Sequence, residues 1–433
     1  MRIGSRGSWT ACPIKNWKTR KLIFLWAIFC FLSFVPSARS QIPATSFGMH
    51  IQSGVLSSQP WPSVPIGGMR LWDTDTTWYE LEPSKGIYNW STLDGYLSLA
   101  QAHNIDVLYT FGGTPLWGAS GSSPNCGYAP VNPGSCYPPT NIQDWDNFVT
   151  ALVVHSAGKI KYWEVWNEAN LSEYWTGDVP TLATLAQHAY KIIKAANPNA
   201  VVLSPSSTGA ATDIGNFLNT YFSSGGLPYS DGVAFHGYVN YNGPSAPEGV
   251  LDLLTAVKIS MASFGIAGKP IWDTEGSWGL DINLPNSVNQ QGYLARQFLV
   301  QLSAGVSRFY WYAWNDTATG TLWTTSSGIQ PAAVAYGQVY NWIVGATISN
   351  PCTMASNSTW TCTLTRSGGY QAVAIWNSAA TTSYTPATQY KQYRDLAGHT
   401  NSVNGSVAIG YNPILLVSSA PVAPPTNVKV TVQ

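Results

Sequence analysis

The sequence predicts an α/β fold, a (β/α)8 (TIM) barrel followed by a small C-terminal antiparallel β-sandwich. From residue 46 onward, short β-type runs alternate with amphipathic helical stretches, a pattern typical of repeated βα units around a parallel sheet. Beyond residue 345 the helical stretches end, and short β-rich segments separated by Gly, Asn and Ser follow. The 433 residues are enough for a barrel of about 250 residues and a smaller module.

Residues 1–40 have the composition of a secretory signal peptide. Basic residues between Arg2 and Lys21 precede the largely apolar run Leu22–Val35, and Ala38-Arg39-Ser40 is compatible with cleavage before Gln41. The apolar run is short for a membrane span. An uncleaved anchor is the alternative. Both interpretations place the folded part outside the cytoplasm, secreted or periplasmic, and cleavage would leave no stable membrane association.

Eight strands are predicted for the barrel, residues 41–345. Their predicted bounds are Ser46–His50, Gly68–Trp72, Asp106–Phe111, Ile160–Trp166, Ala200–Ser204, Gly232–Gly237, Pro270–Thr274 and Arg308–Ala313. The helical patterns between and after them include Leu93–His103, Gln143–Ser156, Leu182–Ala196, Ala246–Phe264, Val288–Ala304 and Ala332–Val344. Eight such strands favour a closed barrel over an open doubly wound sheet. No glycine-rich phosphate loop follows the first strand, which argues against dinucleotide binding.

The β-sandwich is predicted over residues 346–420. Its candidate strands are Thr359–Thr365, Tyr370–Trp376, Gln389–Arg394, Val403–Ile409 and Pro413–Val417. The Pro-rich end, residues 421–433, is predicted to be a flexible tail.

Composition points to a neutral ligand. Lys+Arg and Asp+Glu both number 21, and only 10% of residues are charged, so no basic field is available for nucleic acid. The 20 Trp and 23 Tyr supply flat apolar faces with a polar edge, which suit stacking on sugar rings, although a buried aromatic core explains them equally well. Composition alone therefore suggests a neutral ligand and no nucleic acid, and we make no prediction of oligomeric state.

The cysteines indicate an oxidising compartment. Two of the six fall in the predicted leader, which leaves four in the mature chain. The simplest of the three possible pairings joins neighbours in the sequence, Cys126 to Cys136 and Cys352 to Cys362. A metal site is the alternative, but neither pair has a nearby His or a C-x2-C spacing. We predict two disulfides and no metal.

Two glutamates stand where a strand pattern gives way to a loop. Glu168 closes the run that contains the fourth strand, and Glu275 closes the seventh. In a parallel barrel the carboxyl ends of the strands share one mouth, and catalytic groups are found there. Glycoside hydrolysis needs such a carboxylate pair, one as proton donor and one as nucleophile or base. Arg70, near the end of the second strand, is placed to keep one of them ionised.

The motifs around these residues resemble the clan A retaining glycoside hydrolases. Trp166-Asn167-Glu168 and Thr274-Glu275 carry the resemblance, which spans residues 46–418. It implies that Glu168 is the acid/base and Glu275 the nucleophile, and that Asn167 contacts the sugar 2-OH. The run from Trp78 to Asp94 resembles the loop and helix after strand two in several clan members, and the C-terminal sandwich is most similar to family 39, which includes β-xylosidases.

The same resemblance implies several substrate-binding residues. Arg70 matches the clan's strand-two arginine, and His236-Gly237-Tyr238 ends strand six, where the clan places a His or Tyr near the nucleophile. Trp311 or Trp314 matches the tryptophan that floors the −1 subsite. For His236 a core position is the alternative. His50, which ends strand one, is predicted to bind substrate, with packing as the alternative.

Four other acidic residues are predicted to have structural roles. Glu164 and Asp273 lie two residues before the paired glutamates and are expected to be buried in the polar network of the barrel, and Asp73 and Asp75 are expected to order a loop.

The sequence as a whole predicts a retaining β-glycosidase, with a carbohydrate substrate as its partner, that cleaves O-glycosidic bonds of a neutral oligo- or polysaccharide by double displacement, with no cofactor. One alternative is a transglycosidase that uses the same residues. The other is a catalytically inactive, polysaccharide-binding barrel. A pure binder gains little from a matched acid and nucleophile, so the intact pair favours an enzyme.

Overall fold

The computed structural model describes residues 40–242 and 245–418. The predicted leader, apart from Ser40, and the predicted tail lie outside the described residues. Within the described ranges, no helix combines the length and the apolar character that a membrane crossing requires.

Eight parallel strands form the barrel. They are β1 (Phe47–His50), β2 (Gly68–Leu71), β3 (Asp106–Thr110), β4 (Tyr162–Glu164), β5 (Val201–Leu203), β6 (Val233–His236), β7 (Ile271–Gly276) and β8 (Val306–Trp311). The order is β5-β4-β3-β2-β1-β8-β7-β6, and a parallel bridge from Leu203 to Gly232 brings the two edges together. The predicted (β/α)8 barrel is therefore confirmed. The fourth strand is shorter than predicted, because hydrogen-bonded pairing ends at Glu164.

The barrel helices are α1 (Trp78–Leu81), α2 (Ser91–His103), α3 (Ile142–Ser156), α4 (Val179–Ala196), α5 (Ala211–Tyr221), α6 (Val250–Ser263), α7 (Ser287–Ser303) and α8 (Pro331–Ile343). Local sequence sets their starts. Before α4, for example, the Asp178 side chain accepts from the Thr181 N–H at 2.8 Å, and Pro180 lies in the first turn. Every residue of α7 from Gly292 to Ser303 is buried, which is typical of a helix covered on all sides.

The C-terminal part consists of short antiparallel strands. After a small hairpin of β9 (Trp323–Thr324) and β10 (Gly328–Ile329), these are β11 (Thr347–Ile348), β12 (Thr353–Met354), β13 (Thr359–Arg366), β14 (Tyr370–Asn377), β15 (Thr382–Tyr384), β16 (Tyr390–Arg394), β17 (Thr400–Ser402), β18 (Val407–Ile409) and β19 (Ile414–Ser418). The larger sheet has the order β11-β13-β14-β19-β16-β17, and β15 pairs with β18. The predicted strand Val403–Ile409 is confirmed for its second half, β18, and is wrong for residues 403–406, where a bend at Gly405 (φ 91°) separates β17 from β18.

A buried ion pair joins the C-terminal sheet to the barrel. Arg296 on α7 donates from Nε and Nη2 to Glu248, at 2.7 and 2.5 Å. Trp376 on β14 donates from Nε1 to the same carboxylate at 2.7 Å, and the Tyr411 ring lies 4.3 Å from the Arg296 guanidinium. We call these four residues the junction cluster. Glu248 lies just after the loop that follows β6 at the barrel mouth. The C-terminal sheet is therefore hydrogen-bonded, through Trp376, to the chain segment that follows this loop.

Both predicted disulfides are present. Cys126 is bonded to Cys136 in the long loop between β3 and α3, and Cys352 to Cys362 at the start of the C-terminal sheet. The pairing of sequence neighbours is therefore confirmed.

Candidate active site

A fully buried arginine organises the mouth of the barrel. Arg70, at the end of β2, donates from Nη1 to Glu275 Oε2 at 2.7 Å, from Nη2 to Asn167 Oδ1 at 2.7 Å and from Nε to Glu164 Oε2 at 2.8 Å. Burial opposes its charge, but the carboxylates of Glu164 and Glu275 outweigh burial and raise the pKa of Arg70. One cation thus fixes three side chains from the carboxyl ends of two other strands, β4 and β7.

Glu164 is held inside the barrel. Besides the bond from Arg70, its carboxylate accepts from the hydroxyls of Thr110 at 2.7 Å and Thr274 at 2.6 Å, and it has no exposed surface. It is the interior counter-ion of Arg70 and does not line the cavity described below.

Glu275 projects from β7 at an irregularity in the sheet. His236 pairs with Glu275 although Phe235 pairs with Asp273, so Thr274 is an extra residue in β7. The carboxylate accepts from Tyr238 Oη at 2.9 Å and from Arg70 at 2.7 Å. Burial raises the pKa of Glu275 to about 7, a shift that His236 and Arg70 oppose.

Glu168 follows β4 in a left-handed backbone conformation, with φ 41°. Its N–H donates to Ser206 Oγ at 3.1 Å, and its Oε1 lies 2.8 Å from His236 Nδ1. Burial raises the pKa of Glu168 to about 8, against the lowering effect of Arg70. An oxygen of Glu168 and an oxygen of Glu275 lie within 4.8 Å of each other, so the two carboxylates face one another.

His236 lies between the two glutamates. Burial lowers its pKa to about 4, so the ring is neutral near pH 7. Arg70 Nη2 lies 3.5 Å from His236 Nε2, and because a guanidinium can only donate, Nε2 is the acceptor. The ring proton is therefore on Nδ1, which donates to Glu168. Nδ1 is also 3.9 Å from Glu275 Oε2.

His50 is placed behind the cavity. Its Nε2 donates to the Thr274 carbonyl at 3.1 Å, its ring packs against Tyr312 at 4.9 Å, and it has no exposed surface. The structure thus brings His50 to the site as a support of β7, and it does not line the cavity.

Neither predicted strand-eight tryptophan reaches the cavity. Trp311 packs against Phe298 of α7 and donates from Nε1 to the Gly320 carbonyl at 2.8 Å, and Trp314 donates to the Pro60 carbonyl at 3.2 Å. Tyr312 lines the cavity instead. Alternate residues of a strand face opposite sides, so the side chain after Trp311 turns towards the mouth.

The cavity beside the two glutamates has a volume of about 650 Å³. It is lined by Trp72, Asp73, Glu168, Leu171, Glu173, Tyr174, Thr208, Gly209, Ala210, Tyr238, Val239, Asn240, Tyr241, Asn242, Glu275 and Tyr312. The lining includes four carboxylates and no Lys, Arg or His. A second cavity of about 580 Å³, at the amino ends of β3 and β4, has one carboxylate, Asp106, which pairs with Arg308 at 2.8 Å. Only the first cavity offers a carboxylate pair.

Several lining residues were missed or misinterpreted from the sequence. Asp73 was expected only to order a loop, but it faces the cavity and accepts from Tyr312 at 2.9 Å and from Tyr128 at 3.1 Å. Tyr174 and Tyr241 lie in loops, where no periodic pattern marks the side chains that turn inward. For Tyr312, strand alternation was a usable signal.

Glu168, His236 and Glu275 are also the described residues that could together hold a metal ion. The Arg70 cation already bonds to Glu275 Oε2, and the His236 proton is directed at Glu168. The arrangement suits proton transfer and attack by a carboxylate better than it suits a second cation.

Comparison with known proteins identifies the fold. No family model matches the sequence. A family 39 glycoside hydrolase from Bacteroides cellulosilyticus WH2 has a TM-score of 0.67 at 19% identity, over 87% of this chain and 81% of that one. A β-xylosidase from Caulobacter crescentus CB15 gives 0.63 at 15% identity, over 89% and 98%. The catalytic domain of a family 30 xylanase C from Talaromyces cellulolyticus gives 0.58 at 14%, over 88% and 98%.

The chain therefore shares its fold, an eight-stranded parallel barrel with C-terminal antiparallel sheets, with solved structures of glycoside hydrolases. The resemblance to clan A and to family 39 that the sequence predicted is confirmed for the fold.

Proposed function

We propose that this protein is a retaining glycoside hydrolase that cleaves O-glycosidic bonds of a neutral oligo- or polysaccharide by double displacement. The observation that carries the proposal is the approach of Glu168 and Glu275 to within 4.8 Å. Retaining enzymes separate their carboxyl groups by about 5–5.5 Å, whereas inverting enzymes leave about 6.5–9.5 Å for a water molecule. The short distance supports direct attack by a carboxylate.

The different surroundings of the two glutamates support different roles. Glu168 has the more strongly raised pKa, so it keeps its proton to the higher pH and serves as acid. Glu275 has two strong donors, Arg70 and Tyr238, which stabilise its carboxylate as nucleophile. Burial raises the pKa of both groups, and that of Glu168 further, so Glu275 ionises first as pH rises and the working state has Glu275 ionised and Glu168 protonated.

The reaction then follows in two steps. Glu275 attacks the anomeric carbon while Glu168 gives its proton to the departing oxygen, and a covalent glycosyl-enzyme forms. The proton of His236 Nδ1 stabilises the Glu168 carboxylate left behind. Glu168 then takes a proton from water, which attacks the anomeric carbon and releases Glu275. Arg70 fixes Asn167 through Oδ1, which leaves the Asn167 Nδ2 hydrogens for a sugar hydroxyl.

The cavity lining supports a neutral sugar. No Lys, Arg or His among the lining residues offers a counter-charge to an acidic sugar. Trp72, Tyr174 and Tyr241 offer ring faces to a pyranose. The two disulfides suit an enzyme that works outside the cytoplasm. We assign catalysis to residues 41–345 and the supporting β-sandwich to residues 346–420.

The test is incubation with 4-nitrophenyl β-glycosides of xylose, glucose and galactose and with a panel of neutral polysaccharides, followed by measurement of reducing ends. The first anomer released is identified by ¹H NMR before mutarotation, and we expect the configuration to be retained. An inverted first product would contradict the mechanism. Elongated oligosaccharides as the main product would identify a transglycosidase, and saturable polysaccharide binding without turnover would identify a binding protein.

A further inference from the structure

One glycine, Gly237, connects the residues that contact the two glutamates. His236 donates to Glu168 at 2.8 Å, and Tyr238, two residues later, donates to Glu275 at 2.9 Å. Gly237 lies between them. A rotation or shift of the Gly237 backbone therefore displaces both His236 and Tyr238. It would change the hydrogen bond to the proposed acid, Glu168, and the one to the proposed nucleophile, Glu275, at the same time.

Both peptide groups that flank the Gly237 Cα are hydrogen-bonded to buried side chains. The Gly237 N–H is shared between the Glu275 carbonyl at 2.8 Å and Asp273 Oδ1 at 2.9 Å. Its carbonyl accepts from Gln297 Nε2, on α7, at 2.8 Å. Asp273 and Gln297 have no exposed surface, and neither lines the cavity.

We infer that Asp273 and Gln297 are positioning residues that act through the Gly237 peptide, holding His236 and Tyr238 against the two catalytic glutamates. The inference rests on the proposed function for its catalytic meaning. It gives a positioning role to Asp273 and Gln297, two buried polar residues that take no direct part in the proposed double displacement.

The packing around the peptide leaves it little freedom. A Cβ on Gly237 would lie 2.0 Å from Asp273 Oδ2, so glycine is required for Asp273 to come this close. The extra residue Thr274 turns Glu275 towards the cavity and Asp273 to the opposite side of the strand, towards Gly237. The bulge at Thr274 therefore has two effects. It directs Glu275 towards the cavity, and it places Asp273 where it bonds to Gly237, next to Tyr238, the donor to Glu275.

Asp273 acts as an acceptor through Oδ1. Burial raises the pKa of Asp273 well above its ordinary value and so favours the uncharged carboxyl. Asparagine reproduces its shape and its acceptor oxygen. Asp273→Asn is accordingly the conservative variant, and Asp273→Ala removes the acceptor.

The main test compares two variants of one helix. Gln297→Leu removes the bond to Gly237. Gln290→Leu, also on α7, removes an equivalent bond from Nε2 to the Leu284 carbonyl at 2.9 Å, away from the cavity lining. On a 4-nitrophenyl glycoside that the wild type hydrolyses, we expect kcat of Gln297→Leu to fall about 10–100-fold, because displacements of 1 Å have effects of that size. KM should change by less than about threefold, and Gln290→Leu should match the wild type.

A second measurement does not depend on turnover. The His236 Nδ1–H resonance, followed by ¹H–¹⁵N NMR in the folded protein, should move in Gln297→Leu and Asp273→Ala and stay in place in Gln290→Leu and Asp273→Asn. If Gln297→Leu keeps both the wild-type kcat and the wild-type His236 resonance, the inference is wrong. Absence of glycosidase activity in the wild type would instead contradict the proposed function, and the resonance would still decide the positioning role.

Discussion

Replacing Tyr238 by Phe removes one hydroxyl and leaves the ring in place. That hydroxyl donates to Glu275 Oε1 at 2.9 Å, whereas Arg70 bonds to the other oxygen, so no neighbour takes over the lost bond. A hydrogen bond to a charged group contributes about 1.5–3 kcal/mol. At about 1.36 kcal/mol per pKa unit, its loss should raise the pKa of Glu275 by about 1–2 units.

The direction of the pH effect follows from the charge state that the bond favours. The Tyr238 hydroxyl stabilises ionised Glu275, so without it ionisation needs a higher pH, and the acid limb of kcat/KM should move upward. Since the pKa of Glu275 is already about 7 and that of Glu168 about 8, a rise of about 1–2 units closes the pH interval in which Glu275 is ionised and Glu168 is protonated, and the maximum of kcat/KM should fall.

The assay is the pH dependence of kcat/KM on a neutral 4-nitrophenyl glycoside. Tyr241→Phe is the matched control, because its hydroxyl lies 3.2 Å from Thr319 Oγ1 and contacts neither glutamate. That variant should leave the acid limb in place. An acid limb that stays at the wild-type pH in Tyr238→Phe would refute the assignment of Glu275 as the group that must be ionised.

Three further predictions concern the glutamates. Glu275→Ala should abolish nearly all turnover, with azide restoring part of it as a glycosyl azide of inverted configuration, and near-normal activity would contradict the nucleophile assignment. Glu168→Ala should impair natural substrates far more than aryl glycosides with acidic leaving groups, and equal losses would argue against an acid. Because the folded protein raises the pKa of Glu168 from 4.5 to about 8, the fold loses stability as pH rises through that interval. Glu168→Gln should therefore unfold at a higher temperature than wild type at pH 8 and at a similar one near pH 4, as measured by calorimetry, and equal melting temperatures at pH 8 would contradict the burial argument.

The barrel was predictable because its signals are local and repeated. Each of the eight strand patterns ends near the residue where the observed strand ends, and catalytic groups lie at the carboxyl ends of such strands. The positions of Arg70, Glu168 and Glu275 could therefore be predicted before any geometry was known. Their distances could not, because strands four and seven meet only when the barrel closes.

The predictions of cavity-lining residues failed where a shift of one residue along a strand changes the side of the sheet on which a side chain lies. Trp311 matched the expected residue type, but alternation along β8 directs it towards Phe298 and α7, and Tyr312 faces the cavity. In β7 the extra Thr274 breaks the same alternation, so the spacing from Asp273 to Glu275 gives no information about their faces. Bulges and loop residues depend on contacts with distant segments, which a local pattern does not contain.

The junction cluster affects how the protein unfolds. Glu248 and Arg296 belong to the barrel segment, but Trp376 and Tyr411, which cover them, come from the C-terminal sheet. If the sheet detached, a carboxylate and a guanidinium that are now enclosed would lose their covering groups next to the loop that carries Tyr238. Intermediates with one half folded are thereby disfavoured, and we expect the barrel and the sheet to melt in a single cooperative transition. An excised barrel would therefore lack part of what keeps its own segment folded, and a graft of another C-terminal sheet would have to supply both aromatic residues.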